Sequence, residues 1–263
     1  LAVSVAGVPT TAVTWSSAAP AVAQVDDAGV VTAVSPGSTQ IRARLVDEPA
    51  VGAITVTVAP GAAGPTALVA IDGGLTHTVA LDSDGAVWSW GANLLGQFGN
   101  GGLQPSQSST PVRGLIDDVI AIAAGDHFSV AVKSDGTVWA WGSNGSGQVG
   151  TGAEGDWQTT PVQVTGIEDA VAVAARASTA VALLADGTVM AWGSNGNGAL
   201  GRGAFTPTDD ATPALVTGVS GVTAIALGGG VSQLHALALL DDGTVMAWGS
   251  NALAALGQPV STP

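Results

Sequence analysis

Four Trp-Gly pairs, Trp90-Gly91, Trp141-Gly142, Trp192-Gly193 and Trp248-Gly249, stand 51, 51 and 56 residues apart and confine this chain to an architecture of repeated units. Six residues before each tryptophan lies an Asp-Gly pair, at Asp84, Asp135, Asp186 and Asp242. Nine residues after each lies a glycine, at Gly99, Gly150, Gly201 and Gly257, and Thr-Pro follows at Pro111, Pro161, Pro213 and Pro263. A pattern of this period marks one supersecondary piece that buries its apolar surface against copies of itself.

Within a unit the apolar runs are short. In the second they cover residues 119–124, 128–133, 137–141 and 162–164, which read as four strands. Asp-Gly between two such runs predicts a tight hairpin of type I′ between the second and third strands. Val-Trp-Ala-Trp at 138–141 is apolar on both sides of the pleat, so both faces of each small sheet need cover. Sheets stacked face to face around an axis supply it, and no segment sustains a helical period.

The first unit supplies Gly74, His77, Thr78, Ala80, Leu81, Asp84, Gly85, Val87, Trp90 and Gly91. This string resembles the repeat of the regulator of chromosome condensation family over residues 67–263. The resemblance implies a β-propeller, with seven blades in its best-known members, so four units imply an open arc from a larger propeller. Later units depart from the pattern. Phe128, Thr179 and His235 stand in the His77 column, Arg176 stands in the Gly74 column, and Ala254 replaces the glycine seen at Gly96, Gly147 and Gly198.

Upstream, Val13-Thr14-Trp15-Ser16-Ser17, Val22-Ala23, Val25, Val30-Val31-Thr32 and Ile41 alternate at period two between turns at Pro20, Gly29 and Pro36-Gly37. That is a small β-sandwich pattern over residues 1–59, and it resembles the group 2 bacterial Ig-like domain, a surface-protein module. Residues 60–66 read as a linker. The expected fold is therefore all-β: a partial propeller of four four-stranded blades behind an N-terminal Ig-like β-sandwich. Leu1 is not an initiator methionine and the pattern runs to Pro263, so we expect the remaining blades in the same full-length chain.

Composition narrows function. Six basic residues against twenty acidic ones give a formal charge of −14, which repels a phosphate backbone and argues against nucleic acid. No cysteine is present, which excludes disulfides, thiolate metal sites and cysteine nucleophiles. No segment is an uninterrupted apolar span, so no membrane insertion is expected here.

Several motifs have plain structural readings. Gly145-Ser-Gly147-Gln-Val-Gly150 and Gly196-Asn-Gly198-Ala-Leu-Gly201 mimic a dinucleotide fingerprint, but no helix follows to present its amides. Asp82-Ser83-Asp84-Gly85 and Asp241-Asp242-Gly243 have calcium-like composition, yet only the Asp-Gly turn recurs in every unit. No G-x-S-x-G elbow accompanies His77, His127 or His235. We expect no metal, no cofactor and no catalytic residue.

What does not repeat is not explained by the blades. The connections after Asn93, Asn144 and Asn195 are long, and the fourth unit adds residues at 228–234. Antiparallel order places these on one face, where binding residues gather. The candidate ligand-binding set is Trp157 and Phe205 as aromatic anchors, ringed by Asp156, Gln158, Arg202, Asp209 and Gln233, with Glu154 and Asp210 nearby. The expected function is a secreted or cell-surface, non-catalytic platform for a protein or glycan. Two alternatives remain: a secreted enzyme inhibitor, since some β-lactamase inhibitory proteins look like this repeat family, and a polysaccharide-active enzyme, which needs a carboxylate pair such as Asp209 with Asp210.

Overall fold

The computed structural model describes residues 13–33, 37–45, 51–58, 64–203 and 208–257. The chain divides into two compact units, Leu1–Gly64 and Pro65–Pro263. In the first, β1 (Val13–Ser17), β4 (Gly37–Leu45) and β5 (Val51–Val58) form one antiparallel sheet, and β2 (Ala23–Val25) pairs with β3 (Val31–Ala33). Ala23, Val31 and Ile41 are buried between them, with Trp15, Val22, Val25 and Val56 packed around. The two-residue alternation read from the sequence is what delivers these side chains to one side.

The second unit is a row of antiparallel meanders. Blade one comprises β6 (Leu68–Gly73), β7 (His77–Asp82), β8 (Val87–Ala92) and β9 (Gln107–Arg113). Blade two comprises β10 (Val119–Ala124), β11 (Phe128–Lys133), β12 (Val138–Gly142) and β13 (Gln158–Gln163). Blade three comprises β14 (Ala170–Arg176), β15 (Thr179–Leu184), β16 (Val189–Gly193) and β17 (Asp210–Leu215). Blade four pairs β18 (Val222–Gly228), β19 (His235–Leu240) and β20 (Val245–Gly249); the fourth strand expected before Pro263 lies outside the described residues. The first strands of consecutive blades lie against one another, which makes them the inner edge of the arc.

Two local expectations need correction. The Asp-Gly hairpins are not type I′. Only the glycine is left-handed, with φ of +79° at Gly85 and +81° at Gly136, and Asp84 and Asp135 are not. Gly85 N–H donates to Asp82 O and Asp82 N–H to Ala86 O, so the loop is a type I turn closed by a glycine bulge. The aspartate favours this form by capping it. Asp135 Oδ1 accepts from Thr137 N–H at 3.0 Å and Thr137 Oγ1 at 2.6 Å, and Asp186 and Asp242 do the same with Thr188 and Thr244. In blade one, where Ala86 replaces the threonine, Asp82 takes over, accepting from Asp84 N–H, Ala86 N–H and Trp88 Nε1.

The fourth strand of blade two begins at Gln158, ahead of the expected 162, and swallows Thr160-Pro161. Pairing jumps from Val162 opposite Ala140 to Gln158 opposite Gly142, so the proline lies in a bulge of an outer strand. There its missing N–H leaves no ladder bond broken.

Cores form between blades rather than within them. One joins Leu81 and Val87 of blade one to Val119, Ala131 and Trp141 of blade two. The next joins Phe128, Val130 and Val138 to Ala180, Ala182 and Trp192 of blade three. Burying a large side chain contributes about 1.5–3 kcal/mol, so each blade depends on the one beside it.

Candidate functional site

The long connections after the third strands are only partly free. In residues 93–101 the chain folds back along its blade: Phe98 is fully buried, Gln97 is 1% exposed, and Leu115 N–H donates to Gly99 O. Val149 and Leu200 occupy the same place in blades two and three. A recurring polar frame holds the fold-back. Asn93 Oδ1 accepts from Phe98 N–H, Asn144 Oδ1 from Val149 N–H, Asn195 Oδ1 from Leu200 N–H and Asn251 Oδ1 from Leu256 N–H.

The next blade then clamps this segment. Trp141 Nε1 donates to Gln97 O at 2.8 Å, Trp192 Nε1 to Gln148 O at 2.9 Å and Trp248 Nε1 to Ala199 O at 2.8 Å. A Cβ at Gly99 would lie 2.9 Å from the Trp141 ring, and one at Gly150 2.9 Å from the Trp192 indole nitrogen. Thus the glycine nine residues after Trp90, Trp141 and Trp192 is the seat for the indole of the following blade. The apparent dinucleotide fingerprints end on these seats, Gly150 and Gly201.

The histidines also have structural places. Ser129 Oγ donates to Gln97 O at 3.1 Å, and its single proton is thereby used. His77 Nε2, 2.9 Å from that hydroxyl, is then the donor, which leaves His77 Nδ1 a buried acceptor without a partner. Burial, reinforced by His127, lowers the His77 pKa to about 4. His127 Nδ1 lies 3.3 Å from Thr76 Oγ1, and His235 Nδ1 3.2 Å from Gln233 O.

The departures at the His77 and Gly74 columns in blade three are explained together. A Cβ on Gly74, Gly125 or Gly228 would strike the ring of His77, Phe128 or His235. In blade three the ring is absent because Thr179 takes its place. Arg176 is admitted there, and its Nε donates across to Gly229 O at 2.9 Å.

The candidate ligand-binding residues fall into three groups. Trp157 is 43% exposed, and Asp156 and Glu154 beside it are exposed. Gln158 opens β13 and abuts blade one: Gly96 would bring a Cβ within 2.8 Å of its carbonyl oxygen, and Gly101 N–H donates to Thr159 O. Trp157 therefore stands at the seam of blades one and two. Leu94, 65% exposed, lies two residues before Gly96 on the blade-one side of that seam. Sequence reading passed over Leu94, because one leucine in a loop carries no signal of its own.

Arg202, by contrast, is turned inward. It donates to Ala191 O, Ala214 O and Leu215 O and lies 3.4 Å from Asp210, stitching β16 to β17. Burial lowers its pKa, with Asp210 acting in the opposite direction. Asp209 Oδ1 accepts from Ser194 Oγ and Asn195 N–H. Both residues are committed to holding their own blade. Gln233 is exposed in the first connection of blade four, two blades away from Trp157, and Phe205 lies outside the described residues. The Asp209 and Asp210 carboxylates are each engaged within the protein, and among the described residues no three His, Asp or Glu side chains cluster to hold a metal. No helix among them is long and apolar enough to cross a membrane.

The regulator of chromosome condensation (RCC1) repeat matches residues 68–97, 119–148, 170–199 and 222–253, and in a longer form 84–132, 135–183 and 186–233. The chain belongs to the RCC1 repeat family. The bacterial Ig-like domain (group 2) matches residues 2–58. Human E3 ubiquitin-protein ligase HERC2 is 33% identical over 185 residues, covering 68% of this chain and 4% of that protein. The Arabidopsis thaliana ultraviolet-B receptor UVR8 is 29% identical over 191 residues, covering 71% of this chain and 42% of the receptor. The chain thus spans less than half the length of these relatives. Yeast RCC1 (Prp20), solved with Kap60, superposes with a TM-score of 0.66 at 19% identity, covering 85% of this chain and 54% of that one. Human WBSCR16 gives 0.61 at 21%, covering 82% and 60%. These likenesses establish the RCC1 propeller fold, and the RCC1 repeats here form four of its blades.

Proposed function

We propose that this chain is a non-catalytic binding platform, secreted or displayed on a cell surface, which engages a protein or glycan through the seam of blades one and two. The observation that carries the reading is the contrast among tryptophans. Trp141 and Trp192 are fully buried as wedges, whereas Trp157, with no counterpart in the other repeats, is 43% exposed. An exposed indole flanked in sequence by Glu154, Asp156 and Gln158, with exposed Leu94 on the blade-one side of the seam, suits a small contact anchor with polar neighbours. The propeller is itself suited to protein partners: yeast RCC1 was solved bound to Kap60, and Prp20p was characterised for binding Gsp1p and histones. The Ig-like unit supports a surface setting, and the engagement of Asp209 and Asp210 within blade three supports a role without chemistry.

The test is a protein and glycan array probed with the whole chain and with Trp157→Ala. Removing a central aromatic anchor is expected to cut retained signal about tenfold or more. Signal unchanged in the variant overturns the assignment of the seam.

A further inference from the structure

The face opposite the long connections, formed by the Asp-Gly hairpins and the links between blades, has a chemistry of its own. Its two kinds of loop interlock: Val119 N–H donates to Gly85 O, Ala170 N–H to Gly136 O and Val222 N–H to Gly187 O. Nine carboxylates lie on it, all exposed: Asp84, Asp117, Asp118, Asp135, Glu168, Asp169, Asp186, Asp241 and Asp242. Its cations are Arg113 and Lys133. Arg113 pairs with Asp117, and Lys133 lies 3.7 Å from Asp118 and 5.7 Å from the Trp139 ring centroid. No free cation remains among the described residues of these loops to balance the rest.

At its start each first strand carries a bulge, and in blades two and three an acidic link precedes it. Pairing skips Val69, Ile120, Val171 and Thr223, one at the equivalent position in every blade. The first three are 62%, 52% and 48% exposed, although the residue before the bulge in blades two and three, Val119 or Ala170, is buried. A bulge re-aims a side chain away from the pleat. Repeated blade by blade, it sets β-branched side chains along the inner edge of the arc beside Asp117, Asp118, Glu168 and Asp169.

We propose that this face docks a basic polypeptide segment that carries apolar side chains, separately from the Trp157 seam. The strip supplies apolar area that the fold leaves open, and the carboxylate rim sets the charge sign of the partner. A second copy of the same chain would bring an equally acidic rim and be repelled.

The test uses the whole chain and two labelled peptides of equal length and charge, one alternating Lys with Leu and the other Lys with Ser, followed by fluorescence anisotropy at two salt concentrations. The Leu peptide is expected to bind about tenfold tighter than the Ser peptide. Ile120→Ser with Val171→Ser should bring the two peptides level. Asp117→Asn, Asp118→Asn, Glu168→Gln and Asp169→Asn together should weaken both about tenfold and flatten the salt dependence. Hydrogen exchange on the unaltered protein gives a readout independent of variant folding, with slowed exchange expected at residues 117–122 and 168–173 when the Leu peptide is added. Equal binding of both peptides, protection confined to residues 153–159, or loss on Trp157→Ala alone would each overturn the proposal. So would a dimer of the free chain that Ile120→Ser with Val171→Ser dissolves.

Discussion

At the scale of single residues, the most consequential group is His77, a neutral imidazole held against Ser129 with its second nitrogen unpartnered. Protonation would place a charge where no acceptor waits. Because the folded-state pKa is depressed to about 4 from 6.5, the unfolded chain takes up the proton first. The stability is present above pH 6.5 and drains away as pH falls toward 4, by about 3 kcal/mol in all. We predict a melting temperature that declines over this window, with the decline reduced in His77→Phe, the residue type blade two carries as Phe128. A flat profile in the unaltered protein would contradict the assignment. The glycine seats give a second prediction. Gly150→Ala meets both a left-handed backbone and the Trp192 ring, whereas Gly257→Ala has a positive φ but nothing within 4 Å among the described residues. Urea denaturation should show the first to be costlier by about 1–3 kcal/mol.

At the scale of elements, the strands were legible because Asp-Gly and the apolar runs are local signals. The second and third strands of blade two fall within a residue of their expected places. What was not legible depended on contacts between blades. A Thr-Pro reads as a stop until the bulge opposite Ala140 shows why an outer strand tolerates it. A long Asn-to-Thr-Pro connection reads as an exposed loop until its Phe98, Val149 or Leu200 proves to be core. For the same reason Arg202 and Asp209 read as surface polar residues, although the first closes β16 against β17 and the second caps the start of a fold-back. Trp157 stood out because it has no counterpart in the other repeats, and the structure leaves it 43% exposed. The inter-blade clamp yields the prediction at this scale. Trp192→Ala removes a fully buried indole and its bond to Gln148 O, and should cost about 3–5 kcal/mol by urea denaturation. The equivalent change at Trp90, which is only partly buried, should cost less.

At the scale of the whole molecule, each compact unit has its own core. Residues 65–263 produced alone should therefore keep the denaturation midpoint of that unit in the full chain, as monitored by tryptophan fluorescence. A shift of more than a few degrees would show that the units share stabilising contacts. The joint between blades has two halves. The hairpin glycines Gly85, Gly136 and Gly187 each lie against a left-handed residue of the next blade, Asp118, Asp169 or Gly221, and the seats Gly99, Gly150 and Gly201 each hold the next indole. In blade four neither Gly243 nor Gly257 has a neighbour within 4 Å among the described residues. The socket is thus written into every module while the plug comes from its successor, so the fold prescribes how units couple without fixing how many, and length can change by whole modules while each coupling stays the same.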